Sequence, residues 1–128
     1  MKNTLCKAEI LSSKIIIDEL FAGNNVEKFK AFPFLAIIKE TELPSKFPVQ
    51  AMFSVAKRKN KLAVTRNLIK RRIKEGYRKN KHELYAVLTK KNKQIAICFI
   101  YLDNKPLSSQ VIEEKIIVLL KKVKKYCE

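Results

Sequence analysis

The chain has 128 residues, of which 47% are hydrophobic, and its 28 Lys and Arg against 12 Asp and Glu give a formal net charge of +16. This length and apolar content suffice for a hydrophobic core and exclude a wholly disordered chain. So large a positive charge favours a polyanionic partner, and a nucleic acid fits better than a membrane surface.

The chain also lacks the sequence features of a membrane or secreted protein. No apolar run reaches the roughly 18 residues that a transmembrane helix needs, and the N-terminal stretch has no continuous apolar core typical of a signal peptide. Cys6, Cys98 and Cys127 are widely spaced, and no two of them have metal-ligand spacing. These features predict a cytoplasmic protein with reduced thiols, no metal site and no membrane association.

The first half of the chain predicts one helix and two strands. The helix covers residues 8–21 and ends at Gly23. Its apolar side consists of Ile10, Ile17, Leu20 and Phe21. Residues 29–39 predict a strand, in which Pro33 indicates an edge position or a bulge. After a loop, residues 49–56 alternate in polarity as a second strand.

The second half predicts two helices with a buried strand between them. A basic helix covers about residues 63–80, and residues 94–102 are so apolar that they predict a central strand covered on both faces. A last helix begins after Ser108 or Ser109 as its cap and ends near Tyr126. This order predicts one α+β domain over the whole chain, a small α/β sandwich with a central mixed sheet packed by helices.

Residues 57–81 carry the strongest functional signal. Twelve of these 25 residues are Lys or Arg, and only Glu75 is acidic. At about 100° per residue, polar side chains form a continuous arc of roughly 140°, with Tyr77 at its margin and Gly76 opposite, where it would admit a neighbouring backbone. The arc consists of Arg66, Asn67, Lys70, Arg71, Lys74 and Arg78. Aligned like charges destabilise a helix unless phosphates lie between them, so the arc predicts RNA binding.

The chain shows no sign of a catalytic centre of its own. A nuclease would need clustered carboxylates for metal ions, or a histidine with acid and base partners. The acidic residues are scattered, and His82, the only histidine, is predicted to lie at the surface. We therefore expect the chain to bind a nucleic acid rather than to cleave it.

The basic segment resembles that of a known family, the bacterial ribonuclease P protein component. The resemblance rests on two stretches, FSVAKR at residues 53–58 and KLAVTRNLIKRRIKEGYR at residues 61–78. Family members have a strand that ends in a basic pair, a short loop, Ala-Val, and then Arg-Asn and Lys-Arg on a helix. Chain length, charge and element order agree with the resemblance, which is weak outside this segment.

The resemblance implies a role in tRNA maturation. The protein would be the non-catalytic subunit of a ribonucleoprotein endonuclease that removes the 5′ leader from precursor tRNA, while the RNA subunit carries the active site and its Mg²⁺. The implied partners are the catalytic RNA and the leader, with no cofactor and no protein partner for this chain. The resemblance also implies a left-handed strand–helix–strand crossover through the basic helix, which general rules would not suggest.

The resemblance implies two sets of site residues. The RNA-binding residues that it implies are Lys57, Arg58, Arg66, Asn67, Lys70, Arg71 and Lys74. The basic segment itself adds Lys61 and Arg78 to this predicted RNA-binding set. The family also holds the leader in a cleft between the first helix and one sheet face. The nearest candidates for this cleft are Ile17, Phe21, Phe32 and Phe34. Stacking on aromatic side chains would suit a leader of variable sequence, although aromatic residues at these spacings also fit a hydrophobic core.

Two other interpretations remain open on the sequence. One is a non-catalytic basic RNA-binding protein of another kind, such as a ribosomal protein or an RNA chaperone. The other is a DNA-binding protein that reads the major groove with the basic helix, although the arc leaves few residues for base contacts. Stimulation of leader cleavage by a catalytic RNA separates the first interpretation from the ribonuclease P one.

Overall fold

The computed structural model describes residues 5–23 and 25–128. These residues form a short 3-10 turn, four helices and four strands. In chain order they are the turn Lys7–Glu9, α1 Lys14–Ala22, β1 Glu27–Ala31, β2 Phe34–Glu40, β3 Val49–Val55, α2 Ala63–Asn80, α3 His82–Lys91, β4 Ile95–Tyr101 and α4 Ser109–Cys127.

The four strands form one mixed sheet in the order β1-β2-β4-β3. β1 and β2 are antiparallel, as are β2 and β4, whereas the neighbours β3 and β4 are parallel. The connection from β3 to β4 runs through α2 and α3. The predicted α+β sandwich with a mixed central sheet is therefore confirmed, while the left hand of the crossover stays a prediction.

The predicted start of the first helix is wrong. Residues 5–11, here called the N-terminal strap, lie mostly outside helical structure and run along the edge of β3. Ile10 forms a parallel bridge with Ala51, and the N–H of Leu11 donates to the carbonyl of Ala51 at 2.9 Å. Helix α1 begins only after Ser13, whose hydroxyl accepts from the N–H of Ile16, and it ends at Gly23 as predicted.

The single strand predicted over residues 29–39 is also wrong, because the structure forms a hairpin there. Phe32 and Pro33 make the turn between β1 and β2, and β2 is an interior strand. Pro33 has no N–H to donate to a ladder, but its carbonyl accepts from the N–H of Leu102 at 2.7 Å. The predicted edge position thus belongs to β1 rather than to β2.

The later elements follow the prediction closely, with one helix missed. Helix α2 has the predicted bounds, β3 and β4 lie within the predicted strands, and Ser108 caps α4. Helix α3 was not predicted, because it follows α2 after Lys81 alone and no turn residue separates the two. It begins at His82, which is half-exposed, and it buries Leu84, Tyr85 and Leu88.

The sheet carries a core on each of its two faces. The larger core fills the space between one face and helices α2, α3 and α4, and contains Phe34, Phe53, Phe99 and Tyr101. The smaller core lies between the opposite face and α1. It consists of Leu11, Ile16, Leu20, Ile37, Leu43, Ala96 and Cys98. Burial of β4 on both sides confirms its predicted central place.

Helices α2 and α4 pack closely at the one glycine of α2. A Cβ added at Gly76 would lie 3.2 Å from the Cα of Glu113 in α4. The predicted approach of another backbone to Gly76 is therefore confirmed. It fixes α2 against the larger core and turns the opposite side of α2 to solvent.

Candidate nucleic-acid interface

The basic face of α2, defined as Asn67, Lys70, Arg71, Lys74 and Arg78, points away from the larger core. Asn67, Arg71 and Lys74 are exposed, and Lys70 and Arg78 are partly so. The buried stripe of the same helix is Ile69, Ile73, Gly76 and Tyr77. At about 100° per residue, Arg71 lies directly opposite the middle of this stripe, so the helix presents it most fully to a ligand.

The predicted position of Tyr77 at the margin of the basic arc is wrong. Its side chain is 0% exposed, and its ring packs edge-on against Phe53 and Phe99. Arg66, which lies beside Tyr77 on the helical wheel, is accordingly half-buried at the border of the interface. The arc is thus displaced towards Arg71 relative to the prediction.

Arg66 holds the loop that precedes α2. Its Nη1 donates to the carbonyl of Asn60 at 2.9 Å and to that of Lys61 at 2.7 Å. Asn60 is buried, and its Nδ2 donates to the carbonyl of Asp103 at 2.9 Å. This anchored loop presents Lys57, Arg58 and Lys61 as exposed side chains beside the N-terminal end of the basic face.

The acidic residue within the basic segment is paired inside it. Glu75 accepts from Nη2 of Arg78 at 2.7 Å, and this hydrogen bond holds the pKa of Glu75 below its ordinary value. The carboxylate therefore stays charged and partly cancels the positive charge of Arg78.

Arg72 lies outside the basic face. Its Nη1 donates to the carbonyl of Leu107 at 2.6 Å, and this hydrogen bond ties α2 to the loop before α4.

A second candidate surface lies on the sheet face that carries α1. Ile17 and Phe21 lie four residues apart on one flank of α1, and Glu19 lies on the other. Glu19 pairs with Lys39 of β2 at 2.8 Å between Oε2 and Nζ, so the Ile17 and Phe21 flank faces away from Lys39. Ile17 is half-buried against the smaller core, while Phe21 is 52% exposed.

The other two predicted cleft residues do not join Ile17 and Phe21. Phe34 is 0% exposed and belongs to the larger core on the opposite sheet face, so its ring is unavailable to a leader on the α1 face. Phe32 is 68% exposed but lies in the turn at the far end of the hairpin. Phe21 precedes the start of β1 and Phe32 follows its end, and a five-residue strand spans about 15 Å.

The sequence prediction missed the residues that form the floor of this surface. Leu35, Met52 and Ile100 are half-buried hydrophobic side chains that pack against the smaller core. Lys28 pairs with Ile37 and Lys30 with Leu35, which places both exposed lysines on the same sheet face. Strand alternation would have revealed Leu35 and the two lysines had the hairpin been recognised as two strands.

A metal-ion site and a membrane-spanning helix are both absent from residues 5–23 and 25–128. No three His, Cys, Asp or Glu side chains come together there as a metal-ion site. No helix in the same ranges is long and apolar enough to span a bilayer.

A mixed four-stranded sheet with α1 on one face and a densely basic helix on the other defines an α+β protein of the polyanion-binding class. The family model described as Ribonuclease P matches residues 5–124. The chain belongs to the ribonuclease P protein family.

Curated relatives and solved structures agree with this assignment. A ribonuclease P protein component from Chlorobium phaeobacteroides is 33% identical over 86 residues, which is 66% of this chain and 59% of that protein. One from Chlorobaculum tepidum is 30% identical over 104 residues, 77% of this chain and 68% of that protein. The chain thus aligns with about three fifths to two thirds of these relatives.

Two solved structures have the same fold. A mutant RNase P protein of Staphylococcus aureus has a TM-score of 0.71 at 19% identity, with 92% of this chain and 90% of that chain covered. The RNase P protein from Thermotoga maritima has a TM-score of 0.69 at 18% identity, with 89% and 96% covered.

Proposed function

We propose that this protein is the RNA-binding subunit of a ribonuclease P and assists removal of the 5′ leader from precursor tRNA. The observation that carries the proposal is the basic face of α2, which turns its cations to solvent along one side of a rigid, packed helix. Lys57, Arg58 and Lys61 extend that positive surface at the N-terminal end of the helix. A folded surface of this kind binds phosphates without first paying the entropy of ordering.

The chemistry of cleavage belongs to the RNA subunit in this proposal. Mg²⁺ bound by that RNA would supply the metal-ion chemistry. The protein contributes positive charge, which offsets repulsion between the catalytic RNA and its substrate, and positions the precursor. Its place of action would be the cytoplasm, consistent with free thiols at Cys6, Cys98 and Cys127.

We place the leader on the α1 face of the sheet. Ile17 and Phe21 would form one wall, and Leu35, Met52 and Ile100 the floor. Lys28 and Lys30 lie beside this floor and supply positive charge for the backbone of a single strand. Phe34 is left out of the cleft because it is buried, and Phe32 is a separate contact further along the strand.

The test is cleavage of precursor tRNA by the cognate catalytic RNA at low Mg²⁺, with and without this protein. Wild-type protein is expected to stimulate cleavage strongly. The double variant Arg71→Ala/Lys74→Ala should lose most of this stimulation. The matched control is Lys90→Ala/Lys91→Ala, which removes the same charge from exposed positions on α3 and should retain it.

The control variant and the cleavage assay each test a different alternative to this proposal. Equal loss in both double variants would mean that net charge alone matters, and it would remove α2 as the specific RNA site. RNA binding without any stimulation of cleavage would instead favour a general basic RNA-binding protein.

A further inference from the structure

We propose that the groove between the N-terminal strap and the basic face of α2 binds one unpaired nucleotide of an RNA. This inference rests on the proposed RNA-binding function and deepens it. It assigns the strap as a second wall of the RNA site and gives the site a base-binding part as well as a phosphate-binding part.

The groove has two chemically different walls. The strap wall consists of Leu5, Lys7 and Ile10, and the helix wall consists of Arg71, Lys74, Glu75 and Arg78. The volume between them is about 620 Å³. This lies within the range of roughly 300–1,000 Å³ that is usual for small-molecule sites. Leu5 and Ile10 are half-buried and pack against the larger core, so the apolar part of the groove is supported from beneath.

The charge of the groove fits a phosphate at its rim. Four cationic side chains line it, and its only acidic lining residue, Glu75, is already paired with Arg78 at 2.7 Å. Arg71 and Lys74 are exposed on the helix wall. A phosphate there would be bound by positive charge, while the attached base would lie over the apolar side chains of the strap.

An unpaired nucleotide fits this combination better than a duplex does. In an RNA duplex the bases are stacked and paired, and the protein meets mainly phosphates and ribose hydroxyls. The aliphatic side chains of the strap wall, Leu5 and Ile10, would then have no base to contact. An unstacked base can place its flat apolar surface on Leu5 and Ile10 while its phosphate stays at the rim.

A buried polar network holds the strap in place. Nζ of Lys81, at the junction of α2 and α3, lies 2.5 Å from Oε1 of Glu9, and their side chains are 3% and 1% exposed. Oε2 of Glu9 accepts from the N–H of Cys6 at 2.7 Å. Tyr85 also bonds Glu9, and its hydroxyl lies 3.0 Å from that of Tyr77. The network thus links the strap to Lys81 at the C-terminal end of α2 and, through Tyr85, to Tyr77 within it.

The experiment uses the full chain with labelled methyl groups and follows the NMR signals of Leu5 and Ile10. The probes are adenosine 5′-monophosphate, ribose 5-phosphate and inorganic phosphate at equal concentrations. We expect the mononucleotide to shift both methyl signals in a saturable way. The two probes without a base should shift only the backbone amides around Arg71 and Lys74. Arg71→Ala should weaken mononucleotide binding several-fold, and Lys90→Ala should leave it unchanged.

Two outcomes would overturn the proposal. If ribose 5-phosphate shifts the methyl signals as much as the mononucleotide does, the groove binds anions only. If the mononucleotide leaves these signals unchanged, the strap is not part of a base site. Neither result bears on the cleavage assay. If the protein stimulates cleavage but shows either result, the proposed function stands and only the nucleotide site in the groove is rejected.

A final experiment tests whether the catalytic RNA occupies the groove. Addition of the cognate catalytic RNA should shift the Leu5 and Ile10 signals and abolish their response to the mononucleotide. If that RNA binds the protein and the response to the mononucleotide persists, the groove is not occupied by that RNA and the proposal fails.

Discussion

Gly76 of α2 and Glu113 of α4 bring two helix backbones together, with 3.2 Å between the position of an added Cβ at residue 76 and the Cα of Glu113. Asn80 reinforces this contact. Its Nδ2 donates to the carbonyl of Gly76 at 2.7 Å and to Oε2 of Glu113 at 2.9 Å. The orientation of the basic face therefore depends on a contact on the opposite side of the same helix.

Replacement of Gly76 is expected to destabilise the fold although glycine is a poor helix former. Alanine should recover about 1 kcal/mol of helix propensity, but its Cβ would meet backbone that cannot rotate away. We expect Gly76→Ala to lower the free energy of unfolding by up to about 1 kcal/mol and Gly76→Val by about 2–3 kcal/mol. Urea unfolding measures both, and a gain in stability for Gly76→Ala would contradict the close packing.

The buried pair of Glu9 and Lys81 predicts an asymmetric mutational response. Glu9→Gln leaves the ammonium of Lys81 buried without its carboxylate, which should cost roughly 3–5 kcal/mol of unfolding free energy. The double variant Glu9→Gln/Lys81→Met removes both charges and should lose much less. Urea unfolding of the two variants beside wild type tests this. Equal losses would mean that the pair does not act as a buried ion pair.

Acid should weaken the same pair. Burial raises the pKa of Glu9, but the hydrogen bonds from Lys81, from the N–H of Cys6 and from Tyr85 together lower it below 4.5. A lowered pKa in the fold gives stability that is present above the unfolded value and is lost as the pH falls through the folded value. The advantage of wild type over the double variant should therefore shrink below about pH 4.5. An advantage that stays constant in acid would exclude this linkage.

The basic face predicts how RNA affinity depends on salt. Each lost phosphate contact should reduce the slope of log affinity against log salt by about 0.7–1. Arg71→Ala should show this reduction, because Arg71 lies at the middle of the exposed side of α2. Lys90→Ala serves as the control of equal charge change and should keep the wild-type slope. Filter binding or fluorescence anisotropy over a salt series gives both slopes.

The α1 face predicts a selective loss of leader binding. Phe21→Ala should weaken binding of precursor tRNA to the holoenzyme by about 1–3 kcal/mol, the range for one stacked base. Affinity for mature tRNA, which has no leader, should stay unchanged. Tyr126→Ala removes an exposed ring from α4, on the other side of the sheet, and is the matched control. Equal loss for precursor and mature tRNA would exclude Phe21 as a leader contact.

The sequence predicted the elements whose signals are local. The bounds of α2, the cap at Ser108 and the stop at Gly23 all follow from periodicity and capping residues. The basic arc was also readable, because a helix of known pitch fixes which side chains share a side. These features need no knowledge of what packs against them.

The errors arise where tertiary contacts decide the structure. Ile10 appeared helical by periodicity, but it pairs with the edge of β3 instead. Tyr77 lies among cations on the helical wheel, yet the aromatic cluster with Phe53 and Phe99 draws it into the core. Phe34 and Leu35 face opposite sides of the sheet, which only the register of the hairpin could assign. The groove likewise depends on the strap, whose position no local pattern encodes.

The strap also covers part of a sheet edge that could otherwise pair with a strand of another chain. An edge strand with free N–H and C=O groups is a template for pairing with another chain. The strap occupies part of the β3 edge, where Leu11 bonds Ala51 and Nε2 of Gln50 donates to the carbonyl of Ala8 at 3.0 Å. The other edge, β1, exposes Lys28 and Lys30 to solvent. The sheet of another molecule would therefore meet the strap at the β3 edge and charged lysines at the β1 edge. Both features disfavour aggregation by edge-to-edge strand pairing.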